Sequence, residues 1–244
     1  MNYELDKSLI KSSLNPAYRM SNYVQTEYHA LACSCAEEVI KAHGTTCMNP
    51  LLLIGQKSVG KTHILQAIAN EIIENEPQTS VQYMTADDFN NLLQDAKEKN
   101  KLPSFLSCFY KVDVLIIDDL QTLQSPEAQD MLVKVTNHLF ENHKQIVFAS
   151  KNDVLGQDFP DRLIKGKEHS LGLWLDDWHV WDMRDIIDAL AMDFPDNFKD
   201  FLARILIDDI GTLKETISSV LSTSSPNYEE IAKDVTIRFL RSRG

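Results

Sequence analysis

The feature that most constrains this chain is a short loop motif, Gly55-Gln-Lys-Ser-Val-Gly-Lys-Thr, which matches the pattern G-x-x-x-x-G-K-[S/T]. In such a loop the glycines let backbone N–H groups turn inward around phosphate oxygens. Lys61 is then placed to reach the β and γ phosphates, and the Thr62 hydroxyl to bind Mg²⁺. The motif predicts a site for ATP or ADP with Mg²⁺. Its residues are Gly55, Gln56, Lys57, Ser58, Val59, Gly60, Lys61, Thr62 and the following His63.

The sequence on either side of the loop supports this prediction. Residues 51–54 form a short apolar run between Pro50 and Gly55, which is typical of a strand buried on both faces. Residues 63–75 carry apolar side chains at helical spacing. A helix that starts directly after the loop favours an anion at its positive N-terminus. A chance glycine-rich turn, the alternative, would not require this context.

Strand and helix patterns continue to alternate as far as residue 150. Further strands are predicted at residues 80–84, 112–117 and 145–150, and helices at residues 31–42, 89–97 and 127–141. Thr85, followed by Ala and two acidic residues, indicates a helix N-cap. Strands that alternate with helices predict right-handed crossovers, and therefore an α/β fold with a parallel sheet and helices on both faces.

After about Trp181 the pattern changes to helices alone. Helical spacing is found at residues 183–192, 197–208, 212–221 and 228–240, with no strand pattern between them. We therefore predict an α/β nucleotide-binding domain over residues 1–181 and a small helical lid domain over residues 182–244.

Two acidic residues, Asp118 and Asp119, follow the strand predicted at residues 112–117. A carboxylate at the end of a buried strand can hold Mg²⁺ beside a phosphate-binding loop, and Asp118 fits that role. Asp119 would then act as the catalytic base that polarises the attacking water. The alternative is that both acids simply end a strand at the surface. The presence of the loop motif favours the functional interpretation.

The charge balance limits the partners that the chain can bind. The formal net charge of −12 argues against holding duplex DNA by a basic surface, because phosphate contacts depend on Lys and Arg. Local basic patches leave single-stranded DNA open. The sequence begins without a basic stretch and apolar core, and no run is apolar over the length of a bilayer. We therefore expect a cytoplasmic protein without a membrane segment.

Three tryptophans, Trp174, Trp178 and Trp181, fall close together at the predicted junction of the two domains. Aromatic side chains dominate cores, so burial of this group is the simpler expectation. The alternative is a surface for a protein partner, since exposed tryptophan anchors many interfaces.

Several segments of the chain, in order, resemble the AAA+ module of the bacterial replication initiator DnaA. They are LNPAYRMSNYV (residues 14–24), NPLLLIG with GKTHILQAIAN (49–55 and 60–70), VQYMTADDFNNLL (81–93), VDVLIIDDLQTL (112–123) and QIVFASK (145–151). The resemblance extends to about residue 221 and implies a five-stranded AAA+ domain with a helical lid. It also implies that the adenine lies near Asn15, Tyr18 and Val24.

The sequence departs from the family pattern where an arginine finger should reach the ATP of a neighbouring subunit. Asp161-Arg-Leu is kept, but Gly166 stands in the place of the finger, between Lys165 and Lys167. Lysine lacks the planar, bidentate guanidinium of arginine. Misalignment in a divergent sequence is the alternative explanation. Hydrolysis is therefore expected to be weak or absent.

Other family positions differ as well. The lid arginine that senses the γ-phosphate aligns with Gly211, with Lys214 one helical turn further on. The sensor on the fourth strand, normally Ser-Asp, reads Ser150-Lys151, and Asn152 is a polar substitute. Residues 105–110 read FLSCFY where the family places basic residues on its single-strand path, so origin melting is not implied.

The resemblance leaves three functions open. The first, which we favour, is a nucleotide-binding adaptor in replication control, similar to the initiator paralogue Hda, that contacts a DnaA-type initiator or another replisome component. Residues 1–14 contain no clamp-binding motif of the Hda kind, and with the sequence ending at Gly244 we expect no helix-turn-helix domain after the lid. The second is a DnaC-like helicase loader or single-stranded-DNA ATPase that forms a nucleotide-dependent oligomer. The third is a non-catalytic module that binds nucleotide for stability or switching.

Overall fold

The structure is a computed structural model that describes residues 14–26, 29–46, 48–151, 158–164, 166–206 and 210–242. Its elements up to residue 109 are α1 (Ala30–Ala42), β1 (Leu51–Gly55), α2 (Lys61–Asn75), β2 (Val81–Thr85), α3 (Ala86–Glu98) and α4 (Leu102–Phe109). They are followed by β3 (Val114–Asp118), α5 (Pro126–Glu141), β4 (Gln145–Ser150), α6 (Asp158–Ile164) and β5 (Leu171–Leu175). Further helices are α7 (Val180–Leu190), α8 (Asp196–Ile205), α9 (Ile210–Leu221) and α10 (Tyr228–Ser242). Short 3₁₀ helices lie at Met20–Asn22 and Leu120–Thr122.

The five strands form one parallel sheet in the order β2-β3-β4-β1-β5. The predicted α/β fold with a parallel sheet is confirmed, as are the five strands that the AAA+ resemblance implied. The register places Ile54 beside Ser150 and Ile117 beside Phe148, so β1, β4 and β3 end at the same edge of the sheet. That edge carries the candidate site.

Helices cover both faces of the sheet, because successive strand residues point to opposite sides and both sets are apolar. One face packs against α3, α4 and α5 in a cluster of buried side chains that includes Leu52, Ile54, Phe89, Leu93, Phe105, Phe109, Leu115, Ile117, Leu132, Leu139, Ile146 and Phe148. Helix α2 packs against strands β1 to β4 and buries Ile64, Leu65, Ile68 and Ile72. The sheet is therefore the middle layer of the core.

Helix α3 begins where the sequence predicted a cap. The Thr85 hydroxyl accepts a hydrogen bond from the Asp88 N–H at 3.1 Å, and the Asp88 carboxylate accepts one from the Thr85 N–H at 3.2 Å. This capping box satisfies backbone donors that would otherwise have no partner at the helix start. The predicted N-cap is confirmed.

The residue pattern predicts neither helix α4 nor strand β5, which the structure contains. Helix α4 buries Phe105 and Phe109, whose ring centroids lie 5.6 and 5.2 Å from that of Phe89. The apolar residues at 105–110 therefore contribute to the core. Strand β5 lies at the edge of the sheet. Its residues Gly172 and Trp174 are exposed, whereas Leu173 and Leu175 are buried. In the sequence, Gly172 interrupts the apolar residues of this strand, so they do not form a continuous run.

The described residues form two compact units. The first contains the residues up to Leu175 except Lys57–Val59, and the second contains Lys57–Val59 and the residues from Asp176 onward. Within the second unit, Arg184 of α7 pairs with Asp188 on its own helix and with Asp196 and Asp200 on α8. The four helices bury a common set of apolar side chains, including Met183, Ile186, Ile187, Phe198, Leu202, Leu213, Ile217 and Val235. Within the described ranges, no helix has the length and apolar character that crossing a membrane requires.

The three tryptophans differ in their exposure. Trp178 is buried, whereas Trp174 and Trp181 are 51% and 60% exposed. The Trp178 indole N–H donates to the carbonyl oxygen of Ser58 at 2.8 Å, within the second unit. The burial expected of the whole group is therefore confirmed for Trp178 and wrong for the other two, which leaves a partner surface at Trp174 and Trp181 as a prediction.

Candidate functional site

The candidate site lies where the strand order brings two loops together. β1 and β3 flank β4, so the loop after β1 and the acidic pair at the end of β3 leave the sheet on either side of one strand. In open α/β sheets, ligands bind outside the carboxyl ends of the strands at such a switch point. The loop motif and the acidic pair, which are far apart in the sequence, therefore share one edge of the sheet.

Lys61 is the first residue of α2 and is buried. Its ammonium group donates to the carbonyl oxygens of Gly55 at 2.8 Å and Gln56 at 2.7 Å. The lysine therefore fixes the start of the loop and keeps its charge at the N-terminus of a helix. A cation and the N–H groups of a helix N-terminus at one place are the features that bind phosphate oxygens.

Thr62 and Asp118, the residues predicted to hold Mg²⁺, are in direct contact. The Thr62 hydroxyl donates to Asp118 Oδ2 at 2.7 Å, and the Asp119 backbone N–H donates to Asp118 Oδ1 at 2.8 Å. Burial raises the pKa of the Asp118 carboxyl, and the hydrogen bond from Thr62 opposes that rise. A hydroxyl and a carboxylate oxygen are the ligand types that Mg²⁺ prefers. The donor set therefore fits Mg²⁺ beside a phosphate group.

Asp119, the predicted catalytic base, has a left-handed backbone with a φ of 54° and a ψ of 45°. This conformation is uncommon for a residue other than glycine, and such residues concentrate at functional sites. Asp119 Oδ1 accepts a hydrogen bond from the Gln121 side-chain amide at 2.7 Å. The side-chain oxygen of Gln121, Oε1, in turn accepts a hydrogen bond from the Lys151 backbone N–H at 3.1 Å. Gln121 therefore links the predicted base to the end of β4.

The loop backbone carries two residues with positive φ, Ser58 at 68° and Gly60 at 97°. Val59 between them is buried, while Gln56 and Lys57 are exposed. The ring of Tyr23 covers Gly60 so closely that a Cβ atom at Gly60 would lie 2.7 Å from Tyr23 Cε2. Glycine at this position is therefore required both by the backbone conformation and by the close approach of Tyr23.

The segment predicted to lie near the adenine is held by one face of α2. The Asn15 N–H donates to the Gln66 side chain at 2.7 Å, and the Asn70 amide donates to the carbonyl oxygens of Asn15 at 2.8 Å and Tyr18 at 2.9 Å. The Tyr18 ring stacks on His63 with a centroid distance of 4.7 Å. His63, Gln66 and Asn70 are three and four residues apart and therefore share a helix face. Val24, the remaining predicted contact, is half-buried at the end of this segment.

Lys167, which follows the position predicted for the arginine finger, is buried. The buried Lys167 ammonium donates to Asn137 Oδ1 at 2.9 Å and lies 5.8 Å from the centroid of the Phe140 ring. Burial lowers the pKa of this amine. Gly166 is exposed, and Lys165 lies outside the described residues. The Lys167 ammonium therefore has a hydrogen-bond partner, Asn137, within the first unit.

The residues predicted to align with the two family sensors are Gly211 and Ser150. Gly211 is exposed on α9, and Lys214 on the same helix is half-buried, which lowers the pKa of its amine. On β4, the buried Ser150 hydroxyl donates to the Gln121 side chain at 3.4 Å. Asn152, the predicted polar substitute, lies outside the described residues.

The sequence interpretation missed four residues that contact this site: Tyr23, Gln66, Tyr83 and Gln121. All of them lie inside segments that carry the family resemblance, yet nothing in the spacing of the motifs identifies their partners. Gln121 gave the clearest signal, because it follows the acidic pair by two residues. Tyr83 and Gln66 lie on different elements, and only the folded sheet brings them together.

We expect Gly60→Ala to destabilise the protein more than Gly166→Ala. Both glycines have positive φ, at 97° and 78°, so alanine costs about 1–2 kcal/mol of backbone strain at either position. At Gly166 no atom of the described residues lies within 4 Å of the place that a Cβ would take, whereas the Tyr23 ring blocks that space at Gly60. The overlap adds about 1–3 kcal/mol. Thermal or urea unfolding of the two variants measures the difference.

Equal losses of unfolding free energy in the two variants would show that Tyr23 does not pack on the loop. A second variant, Gly60→Ala with Tyr23→Ala, should recover the part of the loss that comes from the overlap, since the alanine at position 23 leaves room for the new methyl group.

Comparison with known proteins gives a consistent result. The sequence profile of the bacterial DnaA ATPase domain matches residues 14–172. The chromosomal replication initiator protein DnaA of Flavobacterium psychrophilum is 30% identical over 243 residues, which cover 96% of this chain and 51% of that protein. The chain therefore spans about half the length of the curated relatives it matches.

Solved structures of DnaA have the same fold. Domain III of the Thermotoga maritima replication initiation protein DnaA superimposes with a TM-score of 0.81 at 30% identity, covering 93% of this chain and 98% of that one. AMPPCP-bound DnaA from Aquifex aeolicus superimposes with a TM-score of 0.77 at 26% identity, covering 89% of this chain and 68% of that one.

Proposed function

This chain belongs to the family of the bacterial DnaA ATPase domain, and we propose that it binds ATP or ADP with Mg²⁺ and acts in the control of replication initiation. The observation that carries the proposal is the contact of the Thr62 hydroxyl with Asp118 at 2.7 Å, next to the buried ammonium of Lys61. The structure of a family member with bound AMPPCP, a non-hydrolysable ATP analogue, supports the choice of nucleotide.

Each part of the nucleotide has a proposed partner. The backbone of residues 55–60 and the α2 N-terminus surround the phosphates, and Lys61 neutralises the β and γ oxygens. Thr62 and Asp118 would hold Mg²⁺, which would offset negative charge on the phosphate groups. The base lies beside the segment that contains Asn15, Tyr18 and Val24. In this arrangement the phosphate end is fixed by elements of the sheet, and the base end by a segment docked on α2.

Hydrolysis is proposed to be weak. Asp119 is available to orient a water, and its carboxylate is fixed by Gln121 at 2.7 Å. A completed site also needs positive charge on the side from which a neighbouring subunit approaches. Gly166 stands in the family position for that charge, and Lys167 is bonded to Asn137. The site is therefore better suited to holding a nucleotide than to cleaving it.

The proposed partner is a protein, namely a DnaA-type initiator or another replisome component. The net charge of −12 disfavours duplex DNA, while single-stranded DNA and a nucleotide-dependent oligomer fit the family. An adaptor that binds nucleotide without rapid turnover would report the nucleotide state through its contact with the partner.

The test adds the purified protein to the DnaA initiator of the same bacterium and follows the initiator's ATP turnover. We expect nucleotide-dependent binding and a change in turnover, both lost with Lys61→Ala. Absence of binding and of any change would contradict the adaptor role. An oligomer that forms only with ATP and single-stranded DNA, measured by light scattering, would instead favour a helicase loader of the DnaC kind.

A further inference from the structure

A chain of hydrogen bonds, buried from Gln66 onward, runs from the N-terminal segment to Asp118. The Asn15 N–H donates to Gln66 Oε1 at 2.7 Å, and Gln66 Nε2 donates to the Tyr83 hydroxyl at 3.0 Å. The Tyr83 hydroxyl donates to Asp118 Oδ2 at 3.3 Å. Gln66, Tyr83 and Asp118 are 7%, 4% and 2% exposed. Water therefore cannot easily replace the two hydrogen bonds that join Gln66, Tyr83 and Asp118.

The sheet register explains how Tyr83 reaches the acid. Tyr83 on β2 lies opposite Ile116 on β3, and Asp118 is two residues further along β3. Residues two apart in a strand face the same side, so Tyr83 and Asp118 are diagonal neighbours on one face of the sheet. Gln66 projects from α2, the helix that packs against β2 and β3 on one side of the sheet. Three elements thus meet at one hydroxyl group.

The geometry gives the Tyr83 hydroxyl a fixed orientation. A phenol has one proton, and a proton from Gln66 Nε2 occupies a lone pair of its oxygen, so the phenol proton is directed to Asp118. Asp118 Oδ2 then accepts hydrogen bonds from Thr62 and Tyr83, and Oδ1 accepts one from the Asp119 backbone. The carboxylate is held on both oxygens and cannot rotate without breaking a hydrogen bond.

We propose that Gln66 and Tyr83 are positioning residues that couple the docked N-terminal segment to the orientation of Asp118. The inference rests on the proposed function, because it assumes that Asp118 serves Mg²⁺. Partners of a metal-ligating group fix its direction, and their loss weakens metal binding although they never touch the metal. Order in the segment at Asn15 and metal affinity at Asp118 are thereby linked through one glutamine and one tyrosine.

The test measures the affinity of a fluorescent ADP analogue, the N-methylanthraniloyl derivative, with Mg²⁺ and again with EDTA. The ratio of the two affinities reports the metal alone. Tyr83→Phe removes only the hydroxyl, and we expect the ratio to fall about tenfold, while the affinity in EDTA stays within about twofold. Gln66→Leu should lower the ratio in the same direction. The ratio in the double variant should be no lower than the ratio in Tyr83→Phe alone, because both substitutions interrupt the same chain of hydrogen bonds.

Tyr110→Phe is the matched control, since the Tyr110 ring stacks on His138 and lies outside this chain of hydrogen bonds. It should leave the ratio unchanged. An unchanged ratio in Tyr83→Phe would overturn the inference, and so would equal losses of affinity with Mg²⁺ and with EDTA, which indicate a general structural role. If the unaltered protein binds no nucleotide in either condition, the proposed function fails, and this inference with it.

Discussion

Lys61→Ala should lower the affinity for both ATP and ADP by about 100-fold or more, because each hydrogen bond from a charged group contributes about 1.5–3 kcal/mol and the lysine reaches two phosphates. The ammonium already lies within 2.8 Å of two loop carbonyl oxygens, so its position is set by the fold. Isothermal titration calorimetry with each nucleotide measures the loss.

Lys134→Ala is the control for a change in net charge, since Lys134 is exposed on α5. It should bind nucleotide as the unaltered protein does. Because Lys61 also donates to the loop backbone, unfolding of Lys61→Ala should be measured in parallel to show that the loss of affinity occurs in a folded protein. Retained affinity in folded Lys61→Ala would contradict the assignment of the loop.

Asp118→Asn should remove most of the increase in nucleotide affinity that Mg²⁺ causes. We expect the affinity measured with Mg²⁺ to fall by about 10–100-fold. The amide keeps the shape of the carboxylate. Its oxygen can accept from the Asp119 N–H, but its NH₂ group can only donate, so the hydrogen bonds with the Thr62 and Tyr83 hydroxyls must reverse their direction. The substitution removes the charge that would attract Mg²⁺, and the ratio of the affinities measured with Mg²⁺ and with EDTA separates this loss from the effect of the changed hydrogen bonds.

The same substitution should not destabilise the fold. Burial raises the pKa of Asp118, which means that the folded protein disfavours the charged form of this group relative to the unfolded chain. A neutral amide removes that cost, and the thermal midpoint of Asp118→Asn should be equal or higher. Asp87→Asn, on the exposed first turn of α3, is the control. Undiminished enhancement by Mg²⁺ in Asp118→Asn would show that the metal binds elsewhere.

The parts of the fold that could be predicted from the sequence are those encoded by neighbouring residues. The phosphate loop is contiguous, the Thr85 cap acts within one turn, and β4 has an apolar run that matches its observed bounds at Gln145 and Ser150. Helix α2 begins at Lys61, two residues before the predicted start, because Gly60 serves as its N-cap in a left-handed conformation. At each of these places, interactions between residues that are close in the sequence determine the structure.

The parts that could not be predicted depend on residues that are distant in the sequence. Tyr83 approaches Asp118 only because β2 and β3 pair in a particular register. Tyr23 covers Gly60 because α2 holds the segment around Met20 through Glu71, with the Met20 N–H 2.7 Å from the Glu71 carboxylate. Hydrophobic periodicity contains no information about such polar contacts, and Gly172 interrupts the apolar residues of the short edge strand β5.

The central claim is that this site holds a nucleotide firmly and cleaves it slowly or not at all. One sample titrated with ATP and ADP in Mg²⁺, and then assayed for phosphate release, tests both halves of the claim. We predict saturable binding of both nucleotides and turnover that is close to background. Rapid phosphate release by the protein alone, or the absence of saturable binding, would contradict it.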